Sequence, residues 1–126
     1  MKSLRDKIYS YVKDNYKSEI EYLWKSAPNF AVFRRNDNKK WYGIIMDIPY
    51  QKINVSKDGV VDILNVKIDD WFLKDSLLQE EGFYPAYHMN KEKWLSVLLD
   101  GKVNFEKICQ LIDISYQAVV SKKFTK

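Results

Sequence analysis

The chain has 126 residues, 46% of them hydrophobic and 30% charged; this suffices for one domain with a continuous core and is too apolar for a disordered chain. A balance of 21 Lys+Arg against 17 Asp+Glu leaves a net charge of +4 and a pI near 9.0, which suits polyanionic partners without amounting to a basic tail. One cysteine, Cys109, excludes an internal disulfide framework, and no apolar run approaches the roughly 20 residues a membrane helix needs.

Residues 1–17 alternate charged and apolar side chains without an apolar h-region, so no signal peptide and a cytoplasmic address are expected. Ser3-Leu-Arg-Asp6 reads as a capping box, and Leu4, Ile8, Tyr11 and Val12 recur at helical spacing, predicting an amphipathic helix over 3–16. A short strand at 20–24 leads to a turn at Ala27-Pro28-Asn29. Phe30–Arg35 and Lys40–Ile48 read as two strands joined by Asn36-Asp37-Asn38-Lys39, the residue chemistry a tight hairpin demands. Along the second strand Tyr42, Ile44, Met46 and Ile48 fall on one face. A second hairpin is expected from Ile53–Ser56, the turn Lys57-Asp58-Gly59 and Val60–Val66.

Asp69-Asp70 caps a short helix running to Glu80, with Gly82 at the position of a left-handed cap. Leu95–Leu99 forms a strand that ends at Asp100-Gly101. The last helix begins at Asn104 and carries Phe105, Ile108, Cys109, Ile112, Tyr116 and Val119 on one face. The expectation is a single compact α+β domain over 1–121, with a short basic tail at 122–126. Its N- and C-terminal helices should pack on one face of an antiparallel sheet of two successive hairpins plus a further strand, leaving the other face free.

Enzyme chemistry finds little support. One His and one Cys cannot make a structural zinc site, and the carboxylates Asp47, Asp62 and Asp113 lack calcium-loop spacing. Cys109, on the buried stripe of a helix, reads as core rather than nucleophile. Ser96, His88 and Asp100 can be grouped as a triad, as three such residues can in almost any domain. The glycines are isolated, so no phosphate-cradling loop is present. No catalysis, metal or cofactor is expected.

Cations do recur beside aromatics: Phe33-Arg34-Arg35, Lys39-Lys40-Trp41-Tyr42, and Tyr87-His88 ahead of Lys91, Lys93 and Trp94. Nucleic-acid surfaces use both kinds, cations on phosphates and ring faces on unpaired bases. For any single pair, solvated lysines and core aromatics explain the sequence as well. His88 is the only histidine; a lone histidine most often locks its own loop. Asn90 after it can cap a turn whose N–H groups face an anion, with Lys91 as the contacting cation. Tyr116 and Trp94 read as structural, and Asp113 as a turn former or lysine partner.

Pro85-Ala-Tyr-His-Met-Asn-Lys91, Trp94, Asp100-Gly101 and Ile112-Asp-Ile-Ser-Tyr116 together resemble the signature of the MmcQ/YjbR family. Leu23-Trp24-Lys25, Ala31–Arg34 and the Trp41–Pro49 strand extend the resemblance over nearly the whole chain. Many relatives carry His directly before the Trp, where this chain has Lys93, so any shared role must tolerate a permanent cation. The resemblance implies a CyaY-like α+β fold. It also implies DNA binding through two projecting hairpins, a double wing, here the turns at 36–39 and 57–59.

The expected function is therefore that of a non-enzymatic, weakly sequence-selective DNA-binding protein, monomeric and without membrane contact. Arg34, Arg35, Lys39 and Lys40 would hold phosphates from the first hairpin, Lys52 and Lys57 from the second. Lys91 and Lys93 extend the surface, and Trp41 or Tyr87 would stack on bases. The alternative is a small-molecule or anion-sensing domain centred on Tyr87, His88, Asn90 and Lys91. An adaptor using the open sheet face is a third option that leaves no mark in the sequence.

Overall fold

The computed structural model describes residues 2–120, so the basic tail expected at 122–126 lies outside the described residues. Three helices, α1 (Leu4–Tyr16), α2 (Trp71–Leu78) and α3 (Phe105–Ala118), accompany six strands: β1 (Ile20–Glu21), β2 (Ala31–Arg34), β3 (Trp41–Pro49), β4 (Val60–Lys67), β5 (Phe83–Pro85) and β6 (Trp94–Leu98). The strands form one sheet in the order β1-β2-β3-β4-β6-β5, and every neighbouring pair is antiparallel. The α+β class is the one expected. No described helix is long and apolar enough to cross a membrane.

Local chemistry sets the helix ends. Ser3 Oγ accepts the Asp6 N–H at 3.1 Å, and Asn104 Oδ1 accepts the Lys107 N–H at 2.8 Å; each satisfies a donor that the first turn leaves orphaned. α1 stops at Lys17, whose left-handed backbone (φ 57°) turns its N–H back to the Lys13 carbonyl. α2 is capped by Asp70 as expected but ends at Leu78 rather than Glu80. Gly82 (φ 97°) then serves the turn into β5, where an added Cβ would meet Val103 Cγ2 at 2.6 Å. β5 itself is an edge strand that alternation does not announce, and its Pro85 suits an edge because it has no N–H to give.

Two details of β3 depart from the alternation expected there. Phe33 pairs with Gly43 while Arg34 pairs with Trp41, so Tyr42 is an extra residue and β3 bulges. Tyr42 therefore joins Ile45 on the helix-covered side, whereas Trp41, Ile44, Met46 and Ile48 face the other way. Both faces of the strand are apolar. The bulge is held by Ser115 of α3, whose hydroxyl donates to the Tyr42 carbonyl at 2.7 Å and accepts the Lys67 N–H at 2.8 Å.

The second expected hairpin also changes. β4 pairs with β3 directly, and the residues between them form a 3-10 turn (Tyr50–Ile53) and a loop rather than a strand at 53–56. Asn54 takes the left-handed conformation (φ 64°). The Tyr50 N–H closes the loop onto the Gly59 carbonyl at 3.1 Å. Tyr50, Ile53 and Val55 pack on Ile48, Val61 and Ile63; burial of these side chains outweighs the extended pairing expected of 53–56.

The sheet consequently has two cores. All three helices cover one face, with Ile8, Val12, Ile108, Leu111 and Ile112 on Phe33, Ile45, Leu64 and Val97. The opposite face, expected to be free, is covered by three loop segments. Trp24 and Phe30 come from before β2, Tyr50–Val55 from after β3, and Tyr87 and Met89 from between β5 and β6. An all-apolar row such as Val32, Ile44, Met46, Ile63 and Leu98 is too hydrophobic to leave in water.

Candidate functional site

The loop between β5 and β6 carries the only histidine, and it is anchored from below. Asn65 of β4 and Ser96 of β6 are fully buried, each flanked in its strand by buried apolar residues. Asn65 donates an amide N–H to the Tyr87 carbonyl at 3.0 Å. The Tyr87 N–H donates to Ser96 Oγ at 2.9 Å, and the Ser96 hydroxyl donates to Asn65 Oδ1. Both backbone polar groups of Tyr87 are thus pinned to the sheet. His88 follows in the left-handed region (φ 59°), which a non-glycine residue occupies only when its surroundings hold it there. Its ring lies 4.1 Å from that of Tyr87 and is exposed.

Beyond it, Asn90 closes the turn at 91–93. Its Oδ1 accepts the Glu92 N–H at 2.8 Å, and its carbonyl accepts the Lys93 and Trp94 N–H groups at 3.2 and 2.9 Å. Asn90 caps as expected, but the Glu92, Lys93 and Trp94 N–H groups are used internally rather than presented to an anion. Ser96 is consumed by Asn65 and Tyr87, while Asp100 accepts the Lys102 N–H in its own turn; the two belong to separate hydrogen-bond systems. Among the described residues no group of three His, Cys, Asp or Glu is placed to hold a metal ion. Burial, with Asp113 and Glu106 adding, pushes the Cys109 thiol up to about 11, away from thiolate chemistry at neutral pH.

Two depressions flank the loop. On one side a cavity of about 200 Å³ is lined by Trp24, Phe30, Trp41, Met46, His88 and Met89. The Trp24 ring meets Phe30 at 5.9 Å and 72°, and Trp41 at 5.9 Å and 81°, so aromatic walls stand in two directions. On the other side a groove of about 180 Å³ is lined by Ile53, Tyr84 and Tyr87, with Lys52 and Lys91 on it together. These lysines are exposed and come from two different loops.

The remaining basic candidates are disposed differently. Arg34 pairs with Glu21 at 3.0 Å, donates to the Lys39 carbonyl and lies 5.7 Å from the Trp41 ring. Arg35 is only 12% exposed: it grips Asp37 through two N–H groups, donates to the Tyr116 carbonyl at 2.8 Å and covers the Tyr116 ring at 4.0 Å. Its hydrogen bond holds the Asp37 carboxyl at about 2. Lys93 lies 3.8 Å from Asp69. Lys39 and Lys40 are exposed at the β2–β3 turn. Lys57 sits 4.8 Å over the Tyr50 ring.

The two hairpin tips lie at opposite ends of β3, whose nine residues separate them by about 27 Å at a rise of ~3.4 Å per residue. The sheet therefore brings together Lys52 with Lys91 and Trp41 with His88, and leaves Lys57 apart from the first turn. Sequence reasoning missed Trp24, Phe30 and Met89 as wall residues, and Asn65 as the anchor. The available signal was a polar residue in an apolar strand, and two aromatics flanking a Pro turn with no periodicity to bury them.

Tyr116 and Asp113 are structural, in α3. Tyr116 stacks on Tyr16 at 3.8 Å, and Asp113 accepts the hydroxyls of Tyr11 and Tyr16 at 2.8 and 2.6 Å rather than pairing with a lysine.

A three-helix, six-strand antiparallel α+β domain with its site built from loops on the helix-free face defines the class. The YjbR family model matches residues 14–118, and the chain belongs to that family. It is 38% identical to protein YyaQ of Bacillus subtilis (strain 168) over 112 residues, 89% of this chain and 94% of that one. A crystal structure of a protein from Pseudomonas syringae superposes with a TM-score of 0.87 at 40% identity, covering 92% of this chain and 98% of that one. A Deinococcus radiodurans structure with the domain DUF419 matches at a TM-score of 0.71 and 25% identity, over 100% of this chain and 84% of that one.

Proposed function

We propose that this protein binds DNA without catalysing a reaction, and that it does so with the loop-covered face of the sheet rather than with two hairpin tips. The observation that carries this reading is the meeting of Lys52 and Lys91 on one groove, beside the aromatic cavity that holds Trp41 and His88. Two exposed lysines brought to one groove by separate loops suit phosphates, and aromatic walls beside that groove suit bases. Lys39 and Lys40, at the Trp41 end of β3, extend the positive surface; Arg34 and Arg35 contribute by shaping the turn that carries them. The resemblance to a family described as DNA-binding agrees with this assignment. An anion-sensing role for the His88 loop is less well supported, because Asn90 takes up the Glu92, Lys93 and Trp94 N–H donors of the turn.

The test is fluorescence anisotropy of labelled DNA at several salt concentrations. Each phosphate contact contributes roughly 0.7 to 0.9 to the slope of log K against log salt. Replacing Lys52 and Lys91 together by Ala is expected to flatten that slope by about 1.5. A folded double variant with unchanged slope and affinity would remove the groove from the interface.

A further inference from the structure

The aromatic cavity beside His88 admits a narrower assignment, which rests on the DNA-binding reading above. Its volume of about 200 Å³ is below the roughly 300–1,000 Å³ of pockets that enclose a drug-sized ligand. It accommodates one ring system, and the rest of any ligand must lie outside it. The walls are the rings of Trp24, Phe30 and Trp41 and the side chains of Ile44, Met46 and Met89, and His88 also lines it. Thioethers adapt to flat ligands of varied outline, and indole and phenyl rings stack on any π-face.

Charge decides what kind of ring. Lys25 and Lys40 are exposed and adjoin Trp24 and Trp41 in the chain, and Arg34 lies over Trp41. The nearby Glu21 is already paired with Arg34. Cations beside two of its aromatic walls disfavour a cationic guest and suit a planar ring that carries anionic groups outside the cavity. Across the loop, Lys52 and Lys91 offer a place for those groups.

We infer that the cavity receives an unpaired nucleobase of single-stranded DNA while Lys52 and Lys91 hold neighbouring phosphates. A duplex keeps its bases stacked inside and has no ring to offer, so the protein prefers single strands. The loop is suited to this task because Tyr87 is pinned by Asn65 and Ser96, which fixes the cavity rim before DNA arrives.

The experiment compares a short labelled single strand with its duplex by anisotropy, using a second strand that carries a fluorescent adenine analogue. The expected result is roughly a 5- to 150-fold preference for the single strand, the range for one stacked base, with the analogue's emission quenched on binding. Trp41→Leu should lose the preference and the quenching while keeping the salt slope. His88→Gly, placed where glycine takes φ 59° without strain, should weaken quenching in a protein that still folds, so the test survives if Trp41→Leu does not fold. Equal affinity for both forms with unchanged emission would overturn the cavity assignment and leave DNA binding by the lysines intact. No binding to either form overturns both readings. Thymidine monophosphate binding as tightly as the strand would assign the cavity to a free nucleotide and overturn the strand reading.

Discussion

Asn65, at the centre of the sheet, donates to the carbonyl of Tyr87, two residues beyond the end of the edge strand β5. The bond is one side of a closed set, because Ser96 joins the Tyr87 N–H to the Asn65 side-chain oxygen. Both side chains of the set are fully buried, and none of their polar atoms lacks a partner. A fully satisfied polar cluster in an apolar layer fixes geometry that hydrophobic packing alone leaves loose.

Removing one member exposes what the set does. Asn65→Ala strips the Tyr87 carbonyl and Ser96 of partners in a dry site, at an expected cost of about 2–4 kcal/mol. Ser96→Ala should cost about 1–3 kcal/mol for the same reason. The two are coupled, so the double variant should fall short of their sum, as read from urea denaturation. The loop at 86–91 should also become more sensitive to protease in either variant. Simple additivity with an unaltered loop would show that the three groups do not act as a unit.

Arg35 makes the opposite case to Lys91. Its guanidinium joins the β2–β3 turn to α3 through Asp37, the Tyr116 carbonyl and the Tyr116 ring. Arg35→Ala is therefore expected to lower stability by about 1–3 kcal/mol and to leave the salt slope of DNA binding unchanged. Lys91→Ala should do the reverse. A flattened slope in folded Arg35→Ala would make this arginine a phosphate contact after all.

The partner carboxylate gives a pH signature. Asp37 is held at about 2 by its hydrogen bond from Arg35, below the ~3.9 of an unfolded chain. A depressed carboxyl stabilises the fold above its unfolded value and loses that contribution as pH falls through the folded one. The wild type should thus be more stable than Asp37→Asn at neutral pH, with the gap closing between about pH 4 and 2. Melting temperatures of the two proteins across that range provide the check. A gap that persists at pH 2 would mean that the pair's charge is not what Asp37 contributes.

Local chemistry made much of this fold legible. Ser3, Asp70 and Asn104 each cap the helix that their sequence context predicted, because capping depends on residues within one turn. Fold class followed from element order and periodicity. What escaped was set by long-range packing. Tyr42 alternates in sequence with Ile44 as though the strand were regular, and only the bulge opposite Phe33 puts it on the helix side. Ile53 and Val55 have strand-like spacing, but with Tyr50 they lie over a sheet face whose burial no local pattern reveals. For the site, the segment Pro85–Trp94 was visible as a unit, whereas Trp24 and Phe30 reach its cavity from far earlier in the chain. Nor does charge type disclose the partner: Arg35 and Lys91 look alike in sequence, and one is turned inward.

Gly43 sits under the same bulge, and its backbone is ordinary. The constraint is space, since a Cβ there would lie 2.6 Å from Phe33 Cζ, within a fully buried ring. Gly43→Ala is expected to cost about 1–3 kcal/mol or more, as overpacked cores do. Gly59 is the contrasting position, with φ 101° and nothing within 4 Å of a Cβ. Gly59→Ala meets only backbone strain, of order 1 kcal/mol. Urea midpoints should rank Gly43→Ala well below Gly59→Ala; the reverse order would mean that Phe33 moves aside easily.

Alkali tests the joint between α1 and α3. Burial pushes the Tyr11 hydroxyl up to about 12, with the Asp113 carboxylate that accepts it adding to the shift. Burial likewise raises Tyr42 to about 12, and burial together with Asp113 raises Tyr16. In an unfolded chain a tyrosine ionises near 10. Between pH 10 and 12 the unfolded state releases protons that the folded state keeps, so stability is intact below pH 10 and falls as pH rises through 12. Ultraviolet titration of tyrosinate should show Tyr11, Tyr16 and Tyr42 ionising only as the helices separate. Asp113→Asn should soften the effect for Tyr11 and Tyr16 while leaving Tyr42 delayed by burial. If all nine tyrosines titrated reversibly near 10 with circular dichroism unchanged, the hydroxyls would be in water and the carboxylate would not bind the two helices together.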